Sequence, residues 1–248
     1  MARMAPLDVV RVGHGPRLVL VHGSATDHTA WSIQLSSPLR DRFELVAVDR
    51  NPVITAVVDH AAELATLGRS IFVGSSFGAV CVLELARTRP ELVAGMVLIE
   101  PPLPADDSAR TTHAAFVAEY DRRVAHKGGP AAADFFLRSV LGDTAYERIP
   151  AAFLERSTAR WAEIRADSVA LAAYQPRYAE LARVATKTLL LGGSTSAPFF
   201  RATLDVLQAA LADARLEIIN GAGHMLHAEA PRQFAKLVIE FAETLQIE

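Results

Sequence analysis

The segment Gly74-Ser75-Ser76-Phe77-Gly78 is a G-x-S-x-G motif, and its surroundings constrain the fold more than any other feature of the chain. It follows an apolar run typical of a buried strand and precedes residues 79–86, whose pattern predicts a helix. A serine in such a sharp turn is held exposed at a sheet edge, and flanking glycines let strand and helix approach closely. We therefore interpret Ser76 as a covalent nucleophile. Ser75 is the weaker candidate, and an ordinary Gly-Ser turn is the structural alternative.

Short apolar runs alternate with helical patterns along most of the chain. This alternation predicts the α/β class, with a mostly parallel sheet covered by helices on both faces. Functional side chains in such sheets lie at the carboxyl ends of the strands. The strands are expected at residues 7–12, 17–21, 43–48, 70–73, 96–99, 188–191 and 216–219, and helices at residues 54–67, 198–212 and 231–244 as well as after Ser76.

The strand pattern stops between residues 102 and 183, where helical patterns and aromatic side chains take over. We expect a helical cap over residues 102–183, inserted into a core domain that comprises residues 1–101 and 184–248. Most aromatic residues of the insertion are expected to form its own core, with two or three facing a substrate.

Composition narrows the choice of partners. The 248 residues are 51% hydrophobic, which is enough for a sizeable core, and the net charge of −3 gives no indication of a nucleic-acid partner. Cys81 is the single cysteine, so an internal disulfide is excluded. Because no apolar segment has the length of a signal peptide or membrane span, we expect a cytoplasmic protein acting on a small molecule. The oligomeric state, a homodimer included, is left open.

A serine nucleophile needs a base, and the chain offers His224. It follows the last predicted strand in Gly221-Ala222-Gly223-His224, so flexible glycines deliver an imidazole to the carboxyl edge of the sheet. Imidazole takes up and returns a proton near neutral pH. His227 is the alternative base.

Two backbone N–H groups are placed to stabilise a negative oxygen. Phe77 opens the helix after Ser76, and Ser24 follows the strand that ends at Val21-His22-Gly23. His22 either braces this loop or acts as a general base, and the position directly before Gly23 favours the brace.

Taken together, these pieces resemble the α/β-hydrolase fold family over nearly the whole chain. By that resemblance Ser76 is the nucleophile, His224 the base, and the Ser24 and Phe77 amides form the oxyanion hole. The acyl-transfer chemistry that follows needs no metal and no cofactor.

The chain departs from the family pattern at the acid. Members commonly carry an aspartate after the strand that follows the cap, but residues 189–198 contain no carboxylate, and Ser196 stands near the expected position. Some relatives instead carry the acid at the end of the preceding strand, where this chain has Glu100. We assign Glu100 as the triad acid; the alternative is a carboxylate that caps the turn at Pro101-Pro102, leaving a dyad or a degenerate site. A second departure, the shortened turn Asp49-Arg50-Asn51-Pro52, is expected to enter a helix quickly and to reshape one pocket wall.

The predicted reaction is hydrolysis of a small or medium hydrophobic carboxylic ester, thioester or lactone through an acyl-enzyme on Ser76. One alternative uses the same residues in an acyltransferase, a cyclase or a lyase of secondary metabolism. A second alternative is a non-catalytic protein that binds a small molecule.

Overall fold

A computed structural model describes residues 7–174 and 178–245, so the outer ends of the predicted core segments and three residues of the predicted cap lie outside the described part. The strands are β1 (Asp8–Gly13), β2 (Arg17–Val21), β3 (Glu44–Asp49), β4 (Ser70–Ser75), β5 (Val93–Ile99), β6 (Thr188–Gly193) and β7 (Ala214–Ile219). The helices are α1 (Ser32–Leu35), α2 (Val57–Leu64), α3 (Phe77–Thr88), α4 (Asp107–Lys127), α5 (Gly129–Leu141), α6 (Asp143–Tyr146), α7 (Ala151–Ala159), α8 (Trp161–Ala173), α9 (Tyr178–Leu181), α10 (Pro198–Ala210), α11 (Leu226–Glu229) and α12 (Pro231–Glu243).

The seven strands form one sheet in the order β1-β3-β2-β4-β5-β6-β7. Every neighbouring pair is parallel except β1 with β3, so the α/β class and mostly parallel sheet are confirmed. Although β1 and β2 are adjacent in sequence, β1 pairs with β3 instead. The parallel strands direct their carboxyl ends to one edge, where the loops carrying Ser24, Ser76, Glu100 and His224 emerge.

Side chains of the central strands alternate between two apolar cores, one on each face of the sheet. On β2, Leu18 and Leu20 pack with Trp31 and Phe234 on one face, whereas Val19 and Val21 pack on the other face, with α3. Burial on both faces explains why the strands read as continuous apolar runs.

The helix predicted for residues 54–67 is shorter in the structure. The α-helix begins at Val57 and ends at Leu64, followed by a single 3₁₀ turn to Leu67. The N–H of Val53 donates to Asn51 Oδ1 at 3.2 Å, a local turn that competes with helix formation. The expectation of a rapid entry into the helix after Pro52 is therefore wrong, because a loop continues to residue 56.

Helices α4–α9 fill the chain between β5 and β6, and α4–α8 share an apolar cluster that includes Tyr120, Leu137 and Ile164. Ala25, from the loop after β2, packs into the same cluster, so the inserted helices contact a loop at the carboxyl edge of the sheet. Within residues 7–174 and 178–245, no helix combines the length and apolar character needed to cross a bilayer.

Candidate active site

Backbone strain marks the carboxyl edge of the sheet. Among the described residues, Ala25, Ser76 and Glu100 are the non-glycine residues with positive φ, at 65°, 53° and 41°. Residues in this region cost of order 1–3 kcal/mol and persist only where the surroundings hold them. Each of the three lies in a turn after a parallel strand, so the strain is concentrated at one edge of the molecule.

The turn at Ser76 explains both glycines of the G-x-S-x-G motif. A Cβ on Gly74 would lie 2.5 Å from Ala79 Cα, and one on Gly78 would lie 2.4 Å from the carbonyl oxygen of His22. The N–H of Ser76 donates to the Ile99 carbonyl at 2.8 Å, which ties the turn to the end of β5. The side chain of Ser76 is half-buried and lines a cavity.

His224 and Glu100 form a buried pair. His224 Nδ1 lies 2.6 Å from Glu100 Oε2, and the two side chains are 5% and 1% exposed. The other carboxylate oxygen, Oε1, accepts the N–H of Gly193 at 2.7 Å. Because a carboxylate only accepts, Nδ1 of His224 donates and Nε2 is left free to accept a proton. Phe200 stacks on the imidazole with ring centroids 4.2 Å apart, which fixes its plane.

These contacts account for both oxygens of the Glu100 side chain. Both carboxylate oxygens are directed at His224 and Gly193 rather than at the turn formed by Pro101 and Pro102. Gly193, the last residue of β6, belongs to the segment without a carboxylate and donates its backbone N–H to Glu100.

Ser76 and His224 line the same cavity, of about 480 Å³. Among the described residues, no hydrogen bond joins Ser76 Oγ to His224. Such contacts are often long in proteins without substrate and tighten when one binds.

Two backbone N–H groups near Ser76 lack an acceptor. In the part of the chain that the structure describes, neither the Ser24 nor the Phe77 N–H donates to a protein atom. Gly23 allows the Ser24 loop to come close, since a Cβ there would lie 2.9 Å from Ser76 Cβ. An N–H pair of this kind can receive a negative oxygen.

His22 takes the bracing position. Nδ1 lies 2.7 Å from the Gly23 carbonyl, and Nε2 accepts the N–H of Arg50 at 3.1 Å. Burial and then the Arg50 charge lower the pKa of His22 well below its usual value, which keeps the ring neutral. Both ring nitrogens are therefore occupied by the backbone.

Comparison with protein families agrees with the fold. A family model described as "Alpha/beta hydrolase family" matches residues 18–237 of the chain. The chain belongs to the alpha/beta hydrolase family. This match covers β3 to β7, nearly all of β2, the inserted helices and every candidate site residue of the hydrolase.

Solved structures show the same fold at low sequence identity. A thermophilic esterase from Thermogutta terrifontis is 21% identical, with a TM-score of 0.78 over 96% of this chain and 93% of that one. The carboxylesterase CesB from Bacillus subtilis is 18% identical, with a TM-score of 0.72 over 94% and 86%. Est816, described as an N-acyl homoserine lactone degrading enzyme, is 18% identical, with a TM-score of 0.75 over 95% and 96%. At these identities the likeness establishes the fold alone.

Sequence reasoning missed the buried ion pair between Arg50 and Asp167. The guanidinium and the carboxylate are 8% and 7% exposed and meet through two hydrogen bonds of 2.8 and 3.1 Å. Arg50 also donates to the carbonyls of His22 and Gly23, while the hydroxyl of Ser24 donates to Asp167 at 2.7 Å. The pair thus links α8 of the hydrolase to the loop that carries the Ser24 amide.

The cleft of the hydrolase has two lobes that meet at Ser24 and Ser76. We call them the His224 lobe, of about 480 Å³, and the Phe200 lobe, of about 450 Å³. The Phe200 lobe has Leu103, Ala109, Phe116, Leu171, Phe199 and Phe200 in its walls. Inserted helices supply three phenylalanines to the two lobes: Phe116, Phe136 and Phe153.

One further cluster of potential metal ligands comprises Asp27, His28 and Asp49. Its carboxylates already have protein partners, since Asp49 accepts from the backbone and ring of His28, and Asp27 accepts from Thr29 and Arg160. These side chains therefore hold the loop after β2 against the end of β3 and against Arg160.

His227, the alternative base, lies in the His224 lobe with its ring against Trp31. Burial and then the nearby His224 lower its pKa to about 3, and burial followed by Arg50 lowers the pKa of His60 to about 4. Between these values and the unfolded pKa of about 6.5, the unfolded chain binds more protons than the folded one. The free energy of unfolding is therefore expected to fall as the pH drops through this window.

Urea unfolding of the hydrolase between pH 7 and pH 4 measures this effect. Each buried histidine contributes a slope of up to about 1.4 kcal/mol per pH unit. His227→Gln is expected to flatten the dependence, whereas His14→Gln, at an exposed position, leaves it unchanged. If the free energy of unfolding depends on pH with the same slope in wild type and His227→Gln, His227 does not contribute to the pH dependence.

Proposed function

We propose that this member of the family is a serine esterase that cleaves a hydrophobic carboxylic ester, thioester or lactone through an acyl-enzyme on Ser76. The observation that carries the proposal is the buried contact of His224 Nδ1 with Glu100 Oε2, which leaves Nε2 free on the cavity that Ser76 also lines. The inserted helices then act as a cap over the cleft.

In this mechanism, Ser76 Oγ bonds to the substrate carbonyl carbon while its proton passes to Nε2 of His224. The carbonyl oxygen becomes an oxyanion, which accepts hydrogen bonds from the N–H groups of Ser24 and Phe77. Collapse of this intermediate breaks the bond to the leaving oxygen, or to the leaving sulfur of a thioester, and that atom takes the proton from Nε2. Water then attacks the acyl-enzyme with the same proton transfers and releases the acid. Glu100 stabilises the imidazolium formed in both halves.

Low polarity around the site supports a hydrophobic substrate. Just over half of the residues that line each lobe are apolar, chiefly Ala, Leu, Phe and Pro, and Glu100 and His224 are almost fully removed from water. Hydrogen bonds to developing charge are stronger in such surroundings.

A fluorophosphonate probe tests the nucleophile directly. One equivalent is expected to attach to Ser76, with the phosphorus bonded to Oγ and fluoride released. Ser76→Ala should remain unlabelled, while the neighbouring Ser75→Ala should label normally. Folded wild-type protein that takes up no probe would favour the binding-protein alternative.

Release of p-nitrophenol from acyl esters tests turnover. Continued release after the first equivalent is expected for hydrolysis. A burst that stalls until an alcohol, amine or thiol is added would instead identify an acyltransferase.

A further inference from the structure

We infer that the Phe200 lobe holds the acyl chain of the substrate and the His224 lobe holds the alcohol portion. The inference rests on the proposed function, because it assumes acyl transfer to Ser76. It names a substrate class: esters of apolar, medium-length acids whose alcohol portion also fills a pocket.

The argument begins with the four groups on the reacting carbon. In the tetrahedral intermediate these are Ser76 Oγ, the oxyanion, the acyl chain and the leaving oxygen. The oxyanion is directed at the Ser24 and Phe77 amides, so two substituents remain. Two lobes open from Ser76, and both also reach Ser24, so each lobe receives one substituent.

His224 decides which substituent goes where. The leaving oxygen must accept a proton from Nε2, so it has to lie within hydrogen-bond distance of that atom. His224 is in the wall of one lobe only, the one named after it. Phe200 lies across the face of the imidazole, with ring planes inclined by 12°, and forms part of the other lobe. A leaving group in the Phe200 lobe would therefore meet a phenyl ring instead of Nε2.

The lobe walls fit this assignment. Leu103 and Leu171 are 2% and 7% exposed and, with Phe116, give the Phe200 lobe an apolar interior. His113, the imidazole in this lobe, has its pKa lowered by burial and adds no charge near neutral pH. Polar side chains occur in both lobes, with Arg148 and Ser157 in the His224 lobe and Asp106 and Thr112 in the Phe200 lobe, so the position of His224 carries the assignment.

Two matched series of esters measure each lobe separately. One varies the acid from acetate to octanoate with methanol as the alcohol, and the other varies the alcohol from methanol to octanol with acetate as the acid. For the wild type, kcat/KM is expected to rise roughly 100-fold along the acyl series, because each added methylene is buried.

Equivalent substitutions then narrow each lobe. Ala109→Phe, in the Phe200 lobe, is expected to lower the octanoate-to-acetate ratio of kcat/KM by about 10-fold and to leave the alcohol ratio unchanged. Ala145→Phe, in the His224 lobe, should lower the alcohol ratio and leave the acyl ratio unchanged. If either protein fails to fold, Phe116→Ala and Phe153→Ala enlarge the same lobes and should raise the corresponding ratios.

The outcomes separate the inference from the proposed function. Absence of Ser76-dependent turnover on every ester would overturn the esterase itself. If turnover depends on Ser76 but Ala109→Phe lowers the alcohol ratio and Ala145→Phe lowers the acyl ratio, the two lobes have the opposite roles. If neither variant changes either ratio, the assignment of the lobes is rejected.

Discussion

Glu100→Gln is expected to lower kcat for ester hydrolysis by about 10⁴-fold, the loss typical of a triad whose imidazole is held in the wrong tautomer. Gly193 N–H donates to Oε1 at 2.7 Å and would keep the amide oxygen of Gln at that position. The amide NH₂ would then face His224 Nδ1, which would have to accept. Nε2 would carry the proton and could no longer take one from Ser76.

Steady-state kinetics with a p-nitrophenyl ester checks this result, with KM expected to change little. Glu217→Gln, a half-exposed glutamate on β7, is the matched control and should retain wild-type activity. If kcat of Glu100→Gln stays within about 10-fold of the wild-type value, Glu100 is not the triad acid and the site works as a Ser-His dyad.

Asp167→Asn is expected to lower the free energy of unfolding by about 3–5 kcal/mol, because it leaves the buried Arg50 guanidinium without its countercharge. The loss should extend to catalysis. Arg50 would no longer hold the His22 and Gly23 carbonyls in place, so the adjacent Ser24 N–H would shift. Loss of one oxyanion donor costs on the order of 10²–10³ in kcat, which sets the upper limit.

Asp121→Asn provides a control at a second ion pair of α8. Asp121 pairs with Arg165 of α8, but these side chains are 42% and 48% exposed, so a change below about 1 kcal/mol is expected. Urea denaturation measures both variants. Equal losses of stability in the two variants would mean that the buried ion pair is replaceable. An unchanged kcat in folded Asp167→Asn would show that the ion pair does not position the Ser24 N–H for catalysis.

The residues that sequence could identify share a local signature. Ser76, Glu100 and His224 each follow an apolar strand, and the first and last also carry glycines required by a tight turn or loop. Such patterns can be recognised within a few consecutive residues. The topology of a parallel sheet then brings the residues that carry them to one edge.

Arg50 and Asp167 lack a signature of this kind. They lie 117 positions apart, and from the sequence alone an aspartate inside α8 is expected to be an ordinary solvent-facing helix residue. The turn after Asp49 was expected only to reshape a pocket wall, whereas Arg50 donates to the backbone carbonyls of His22 and Gly23. The division of the cleft into two lobes was equally hidden, because it depends on how Phe136 and Phe200 pack in three dimensions.

The contacts of α8 bear on how molecules enter and leave. Hydrogen-bonded side-chain pairs tie this helix and the residues flanking it to the sheet domain near its start, middle and end: Asp27–Arg160, Arg50–Asp167 and Glu84–Tyr174. Swinging the whole insertion outward would break all three at once and expose a guanidinium from the interior. Substrate entry and product release are therefore expected to depend on small displacements of α4 to α7 while α8 stays in place. The carboxyl edge of the sheet would then keep its geometry during each turnover.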